Sequence, residues 1–563
     1  MTPAVGTGRQ PVAIVTGGGA GIGAAIAEEL GRHGTFVITM DPLVSVDGAE
    51  QLPPPEETTA GRIVKAGGSA RSSATSVTDQ DAVHRIFAEV ADEFGGLDAV
   101  VNVAGITRPT SFTRGSEDDW RSVLSVHLDG YRNVLGAALP IMVAAGRGHI
   151  LGVTSGSGWR AADTGAYGCA KRAVASLTWQ LGRQAPPGVV INAISPIAMT
   201  RMVTAALGRS SKQPTASTPS KRAEGRSSAT GGLSLGSMPA PEQLGPFAAH
   251  LVDTAFSACR GHVLFTAGSE VAVIGEPRLI ELFGPDSLGG LAEALEVITP
   301  GALVPAEAAQ RSRGGSNPRF GAIFEAEAVL PVPVPLVGSC VVVADASGVA
   351  DAVIAALKTR GVACRRISDD AGPDFERAAS ALDSFGPDFP VDAVVVARPG
   401  AAAPVGLASD WKRVLAEHAD IVGDIFGDAI WARAVADHSA RTGRPVRLVT
   451  LTEATGAGGR SRAQASAQLA RAARPATKDQ VLAYSVSVEA SGPGDDAVVG
   501  ELAAHLLCSP EAPGLSGAEL VVGPGSIGLR RHPNVETSLT IGDGAIPDWL
   551  DDALTGVLED GRR

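Results

Sequence analysis

The run Thr16-Gly17-Gly18-Gly19-Ala20-Gly21-Ile22-Gly23 constrains the fold more than any other feature of this chain. It sits between the β-rich apolar stretch Val12–Val15 and the helical stretch Ile22–Arg32. Glycines at such a strand-to-helix turn let the backbone bend sharply and approach a pyrophosphate, whose charge is favoured at the helix N-terminus. A second β-rich stretch, Thr35–Met40, ends at Asp41. A carboxylate there can accept hydrogen bonds from an adenosine ribose and would repel a 2′-phosphate, so NAD is expected in preference to NADP. Gly17, Gly19, Gly21, Ile22, Gly23 and Asp41 are therefore candidate cofactor-binding residues.

The alternation continues through the helical stretch Asp81–Phe94 and the apolar runs Ala99–Val103 and Ile150–Thr154. Strands alternating with helices of this length imply a parallel, doubly wound sheet with helices on both faces. At 563 residues the chain is too long for one such core. The pattern restarts with Cys340–Val343, Ala350–Arg360 and Ala393–Ala397. Asp410-Trp411 echoes Asp119-Trp120, Leu448–Thr452 echoes Leu151–Ser155, and Gly517 to Pro533 parallels Gly261 to Pro277. Ordered echoes of this kind mark an internal duplication. The expected fold is α/β, with two tandem Rossmann-like doubly wound parallel sheets. Residues 1–299 form the first domain, interrupted by a Ser/Thr/Pro/Gly-rich mobile loop at 209–237. A linker at 300–335, a second domain at 336–540 and a tail at 541–563 follow.

Composition excludes several function classes. A net charge of −13 argues against nucleic-acid binding. The five cysteines form no CxxC pair, so neither a disulfide framework nor a metal site is expected. No apolar stretch long enough to span a bilayer occurs, and the first ten residues lack the apolar core of a signal peptide, so a cytoplasmic protein with no membrane partner is expected.

The candidate chemistry lies at Ser155 and Tyr167-Gly168-Cys169-Ala170-Lys171. Tyr and Lys four residues apart share one face of a helix. A nearby ammonium stabilises a phenolate and would lower the tyrosine pKa, while a serine hydroxyl can hold the substrate oxygen as the tyrosine moves its proton. With the glycine turn and Asn102-Val103-Ala104-Gly105, these motifs make residues 11 to about 280 resemble the short-chain dehydrogenase/reductase family. The resemblance implies that Tyr167 is the acid/base, Ser155 orients the substrate, and Lys171 binds the nicotinamide ribose. It places Asn102, Ala104 and Gly105 on the adenosine side, and Pro196, Ile197 and Thr200 near the nicotinamide. Ser76 and Val77 stand where the family reads adenine, Ser76 replacing the usual Asp. His127 stands where the family often has an Asn supporting a proton relay, and Val103 replaces the second Asn of the family motif.

Finer features are similar to the 3-hydroxyacyl-CoA dehydrogenase domain of type 2 multifunctional β-oxidation enzymes and to bacterial 3-oxoacyl carrier-protein reductases. These features are the insertion after Asp41, Val126–Gly130, and Ser195–Met202. They imply a small-molecule or acyl-thioester substrate, with a 3-hydroxyacyl-CoA first and a carrier-protein thioester or hydroxysteroid as alternatives. Aligned without gaps, the second half offers Thr452, Gln464 and Gln468 at the Ser155, Tyr167 and Lys171 positions, and Asp345, Val349 and Asp351 at Gly17, Gly21 and Gly23. It is expected to bind no cofactor and to stand where a partner subunit would, giving a homodimer of pseudo-dimers. A nucleotide-sensing or scaffolding protein is the non-enzyme alternative.

Overall fold

The computed structural model describes residues 9–204, 239–284, 337–345, 347–398, 410–489, 493–510, 512–542 and 545–560. The expected loop at 209–237 and linker at 300–335 lie outside the described residues.

The first half supplies β1 (Val12–Thr16), β2 (Phe36–Met40), β3 (Ser69–Ser73), β4 (Ala99–Asn102), β5 (Gly148–Val153), β6 (Val189–Pro196), β7 (Val263–Ala267), β8 (Glu270–Gly275) and β9 (Arg278–Phe283). The second supplies β10 (Ser339–Val343), β11 (Ala363–Ile367), β12 (Ala393–Val396), β13 (Val446–Glu453), β14 (Val481–Val488), β15 (Glu519–Gly523), β16 (Ser526–Arg531) and β17 (Asn534–Thr540). Two sheets result, in the orders β17-β8-β7-β6-β5-β4-β1-β2-β3 and β11-β10-β12-β13-β14-β15-β16-β9. Their central strands are parallel and covered by helices on both faces. That burial is why β1, β4, β10 and β12 read as unbroken apolar runs rather than alternating ones.

The two ladders keep the same register strand by strand. Ala13 pairs with Val37 and Ala99, and Cys340 pairs with Cys364 and Ala393. Ala99 pairs with His149 and Ala393 with Arg447; His149 pairs with Val190 and Arg447 with Leu482. Among the described residues, the second sheet has no counterpart of the outermost β3.

The last strand of each half crosses to the other half's sheet. β9 runs antiparallel to β16, and β17 runs antiparallel to β8. The residue pairs correspond, Arg278 opposite Arg531 and Asn534 opposite Gly275. Each sheet is thus finished by a strand from the other half, which covers an edge that would otherwise be open to pairing.

The helix Gly165–Gln184, here called the Tyr167 helix, packs on the helix Ala457–Thr477 of the second half, the Gln468 helix. Small residues on both allow close approach, and buried polar groups pair across it. Ser461 bonds Ser176 at 3.1 Å, Gln180 reaches the Ala457 carbonyl at 3.2 Å, and the Cys169 thiol meets the Ala465 carbonyl at 3.6 Å. Arg172, fully buried, donates to Gln464 and Gln468 and forms an ion pair with Glu519 at 3.0 Å. The segment expected as a tail contains the helix Leu550–Asp560. Its Leu550 and Leu554 are buried in the first half's core beside Phe247 and Ala248, and Asp551 pairs with His250 at 2.7 Å.

Candidate active site

The glycine turn follows β1 and opens the helix Gly21–Arg32. Gly17 and Gly21 have φ of +65° and +58°, a region that glycine enters without steric cost. A Cβ on Gly23 would lie 2.2 Å from the Gly17 carbonyl oxygen, so the turn closes only if that position has no side chain. Asp41, at the end of β2, accepts from the backbone N–H of Gly19 at 2.9 Å and of Leu43 at 2.8 Å. Its carboxylate is therefore held against the turn rather than left free in solvent.

Behind the turn, the Thr16 hydroxyl donates to the Asn102 side chain at 2.8 Å and accepts from the Ala104 N–H at 3.2 Å. That bond ties the ends of β1 and β4 together. A cleft of about 760 Å³ opens in front, at the C-terminal ends of the parallel strands where open α/β sheets bind ligands.

Gly17, Gly21, Ile22, Asp41, Ser76, Val77, Ala104, Gly105, His127, Ser155, Tyr167, Lys171, Pro196, Ile197 and Thr200 all line this cleft. Gly19, Gly23 and Asn102 are not among the lining residues. They shape the wall from behind, through Asp41, Gly17 and Thr16 respectively. Sequence reasoning missed Arg108 and Arg121, and it missed Val44, Ser45, Val46 and Gly48 of the insertion after Asp41, which also line the cleft. The insertion is pinned there by the Thr107 N–H, which donates to the Val46 carbonyl at 2.9 Å.

Ser155 and Tyr167 line the cleft together, and the Ser155 hydroxyl accepts from the Ser157 N–H at 3.3 Å. Lys171, on the next turn of the Tyr167 helix, lies with Nζ 5.6 Å from the Tyr167 ring centroid and donates to the Val153 carbonyl at 2.7 Å. The Thr154 hydroxyl pins the Lys171 carbonyl at 2.6 Å. Burial pushes the Lys171 pKa down to about 7. Burial raises the Tyr167 phenol above its ordinary value, and the Ser155 hydroxyl pulls it back. Desolvation is thus the largest influence on both groups.

His127 lies in a π-helical turn, Ser125–Asp129, between two α-helical stretches. Extra-residue turns of this kind re-aim side chains and recur at functional sites. Nε2 donates to the Ile106 carbonyl at 2.8 Å, which fixes the tautomer, and the ring stands edge-on to Tyr167 at 5.2 Å. Gly105 leaves room for that ring; a Cβ there would sit 2.4 Å from Cε1. Burial, and then the Lys171 charge, hold the His127 pKa well below its usual value, so the ring is neutral.

Beyond the strand ends of the second half, the described charged side chains pair with one another. Asp369, just beyond β11, and Arg398, just beyond β12, pair at 2.6 Å. Trp431 donates to Asp369 at 2.7 Å, and Arg462 grips Asp428 through two bonds of 2.6 and 2.9 Å, with Arg398 at 3.5 Å. Burial alone would raise the Asp428 pKa, but Arg462 holds it below the ordinary value. The helix Gly348–Thr359 is capped by its own Ser347.

Two gapless correspondences made from sequence need correction. The sheet registers and helix starts put Ala344, Gly348 and Ala350, not Asp345, Val349 and Asp351, at Gly17, Gly21 and Gly23. Asp345 bonds Ser368 and Asp351 pairs with Arg366, so neither carboxylate is unpaired. Arg447 takes the place of His149 and Leu482 that of Val190, so the second half is six residues shorter between those strands. Gln464 and Gln468 consequently do not line a crevice in their own half. They are buried against the first half.

A family model described as short chain dehydrogenase matches residues 11–211. The short-chain reductase protein NovJ of Streptomyces niveus is 36% identical over 196 residues, which cover 35% of this chain and 71% of NovJ. An uncharacterised oxidoreductase of Staphylococcus aureus is 32% identical over 208 residues, covering 36% of this chain and 84% of the relative. Among solved structures, the N-domain of a bacterial malonyl-CoA reductase with NADP superposes with a TM-score of 0.62 over 91% of this chain and 97% of that one. At 16% identity this last likeness is one of fold, and it extends across both halves.

Proposed function

This chain belongs to the short-chain dehydrogenase family, and from that premise we infer that it uses NAD to interconvert a secondary alcohol and a ketone on a 3-hydroxyacyl-CoA-type substrate. The observation that carries the reading is the convergence of Ser155, Tyr167, Lys171 and the glycine turn on one cleft. The turn fits a dinucleotide: Gly17 lets the backbone close on Ala104 and Gly23 lets it close on the Gly17 carbonyl, and the helix Gly21–Arg32 begins at that tight turn. Asp41 supports NAD, since its anchored carboxylate would repel a 2′-phosphate. A bound nicotinamide would supply the hydride acceptor or donor. Tyr167 carries the proton to or from the substrate oxygen, and Ser155 bonds that oxygen. Lys171, buried and pinned at Val153, sets a partly charged ammonium beside the phenol. Neutral His127 borders the same groups and replaces the family's usual Asn.

The thioester class rests on the insertion after Asp41 and on the cleft-lining Arg108, Arg121 and Arg201, whose guanidinium groups suit CoA phosphates. NovJ, named a reductase, favours the reductive direction. The second half is read as a decayed duplicate that keeps the register of the fold but ties its charged side chains into the Asp369–Arg398–Asp428–Arg462 network. It stands in for a partner subunit against the Tyr167 helix, and two chains would form a homodimer of pseudo-dimers. Tyr167→Phe tests the activity: turnover should be lost while NADH binding is kept. Turnover retained by that variant would remove Tyr167 from the reaction.

A further inference from the structure

The loop that joins β5 to the Tyr167 helix carries Ser155, and its backbone carbonyls are held from the other half of the molecule. The Nε2 of Gln468 donates to the Arg160 carbonyl at 2.7 Å and to the Ser157 carbonyl at 3.1 Å, with the Ala162 carbonyl at 3.5 Å. Arg471, one turn further on, donates to the Trp159 carbonyl at 3.1 Å. Both side chains are buried, Gln468 to 2% exposure and Arg471 to 4%. The Gln468 amide is itself oriented, since its oxygen accepts from Arg172 at 3.2 Å and Arg471 at 3.4 Å. The loop also bonds within the first half: Trp159 donates to Ser195 at 3.0 Å, Asp163 accepts from the Phe112 N–H at 2.7 Å, and the Thr164 carbonyl accepts from Thr110 at 3.3 Å. The second half reaches that neighbouring segment as well, because Arg433 donates to the Phe112 carbonyl at 3.1 Å.

We propose that Gln468, supported by Arg471, is a positioning residue for the reaction: from the second half it clamps the 157–162 backbone and so fixes the Ser155 hydroxyl against Tyr167. This rests on the reading of Ser155 and Tyr167 as the reacting pair. A primary amide suits the task. It gives two donors to the loop's backbone carbonyls, and it adds no charge beside Lys171.

The variant Gln468→Met keeps the length of the side chain and removes both donors. Gln464→Ala serves as the control, since it breaks bonds to Arg172 and Glu519 on the same helix but none to the loop. In the full chain, Gln468→Met should lower kcat about 10- to 100-fold and leave the Kd for NADH within about 2-fold. It should also move the acid limb of the alcohol-oxidation pH profile to higher pH. The Ser155 hydroxyl lowers the Tyr167 pKa, so its displacement makes the phenolate harder to form. Gln464→Ala should leave that limb in place. Amide hydrogen exchange across residues 156–164 should accelerate in Gln468→Met whether or not a substrate is in hand. Unchanged exchange in that segment overturns the proposal, and so does a pH limb that stays put or moves equally in the control. Wild-type protein that turns over no alcohol, with the loop still loosened in Gln468→Met, would instead refute the activity reading and leave the clamp standing.

Discussion

Replacing Arg172 by alanine is expected to destabilise the whole molecule, because that guanidinium is the polar centre of the contact between halves. It has no solvent exposure, and neither has Glu519, which it meets at 3.0 Å. It also donates to Gln464 at 3.0 Å, Gln468 at 3.2 Å and the His532 ring at 3.0 Å. Removing one partner of a buried pair leaves the other desolvated and costs about 3–5 kcal/mol. Glu519 keeps Gln464 and has Arg530 at 3.6 Å, which places the loss near the lower end, about 3 kcal/mol. Urea unfolding of the full chain, followed by tryptophan fluorescence, measures it. The double variant Arg172→Met with Glu519→Leu should recover most of the loss, since replacing both members of a buried pair by apolar groups is often close to neutral. A loss below about 1 kcal/mol for Arg172→Ala would refute the reasoning, because surface ion pairs are worth no more than that.

Lys171 titrates at about 7 in the folded chain because of its burial, against about 10.4 when exposed. Between those values the unfolded chain binds the extra proton, so this group makes stability rise with pH from about 7 to 10, by at most about 1.4 kcal/mol per unit. The difference in unfolding free energy between wild type and Lys171→Met should show that slope; a pH-independent difference would contradict it. Gly23→Ala should abolish NADH binding, since the added Cβ would fall 2.2 Å from the Gly17 carbonyl oxygen. Retained NADH affinity in that variant would show that the turn can open without loss.

The catalytic half was legible because its chemistry is local. Gly17 to Gly23 must form a turn, Tyr167 and Lys171 must share a helical face, and Asp41 must end a strand, whatever the rest of the chain does. The Rossmann-like character of the second sheet was legible for the same reason, through apolar runs such as Ala393–Val396. The strand exchange was not. β9 and β17 join their sheets by backbone hydrogen bonds at an edge, and the residues themselves carry no signal for which of two similar edges they will meet. The equivalence of Gln464 and Gln468 with Tyr167 and Lys171 was misread because a loop shortened by six residues leaves no trace in the helical period on either side of it. The role of Gln468 was hidden for a further reason. Its partners are carbonyls some 300 positions away in the chain, and any residue type can supply a carbonyl. A signal was present in the polar residues Ser461, Gln464, Gln468 and Arg471, which recur every three or four positions on a helix otherwise rich in alanine.

Titration of the purified full chain with NADH and with NADPH, following nucleotide fluorescence and stoichiometry, tests the central claim most directly. One NADH site per chain with NADPH much weaker is the expected result, from the open cleft beside Asp41 and the Arg462–Asp428 pairing in the second half. Two sites per chain would contradict the reading of the second half as non-binding, a preference for NADPH would contradict the role given to Asp41, and no site at all would contradict the enzyme itself.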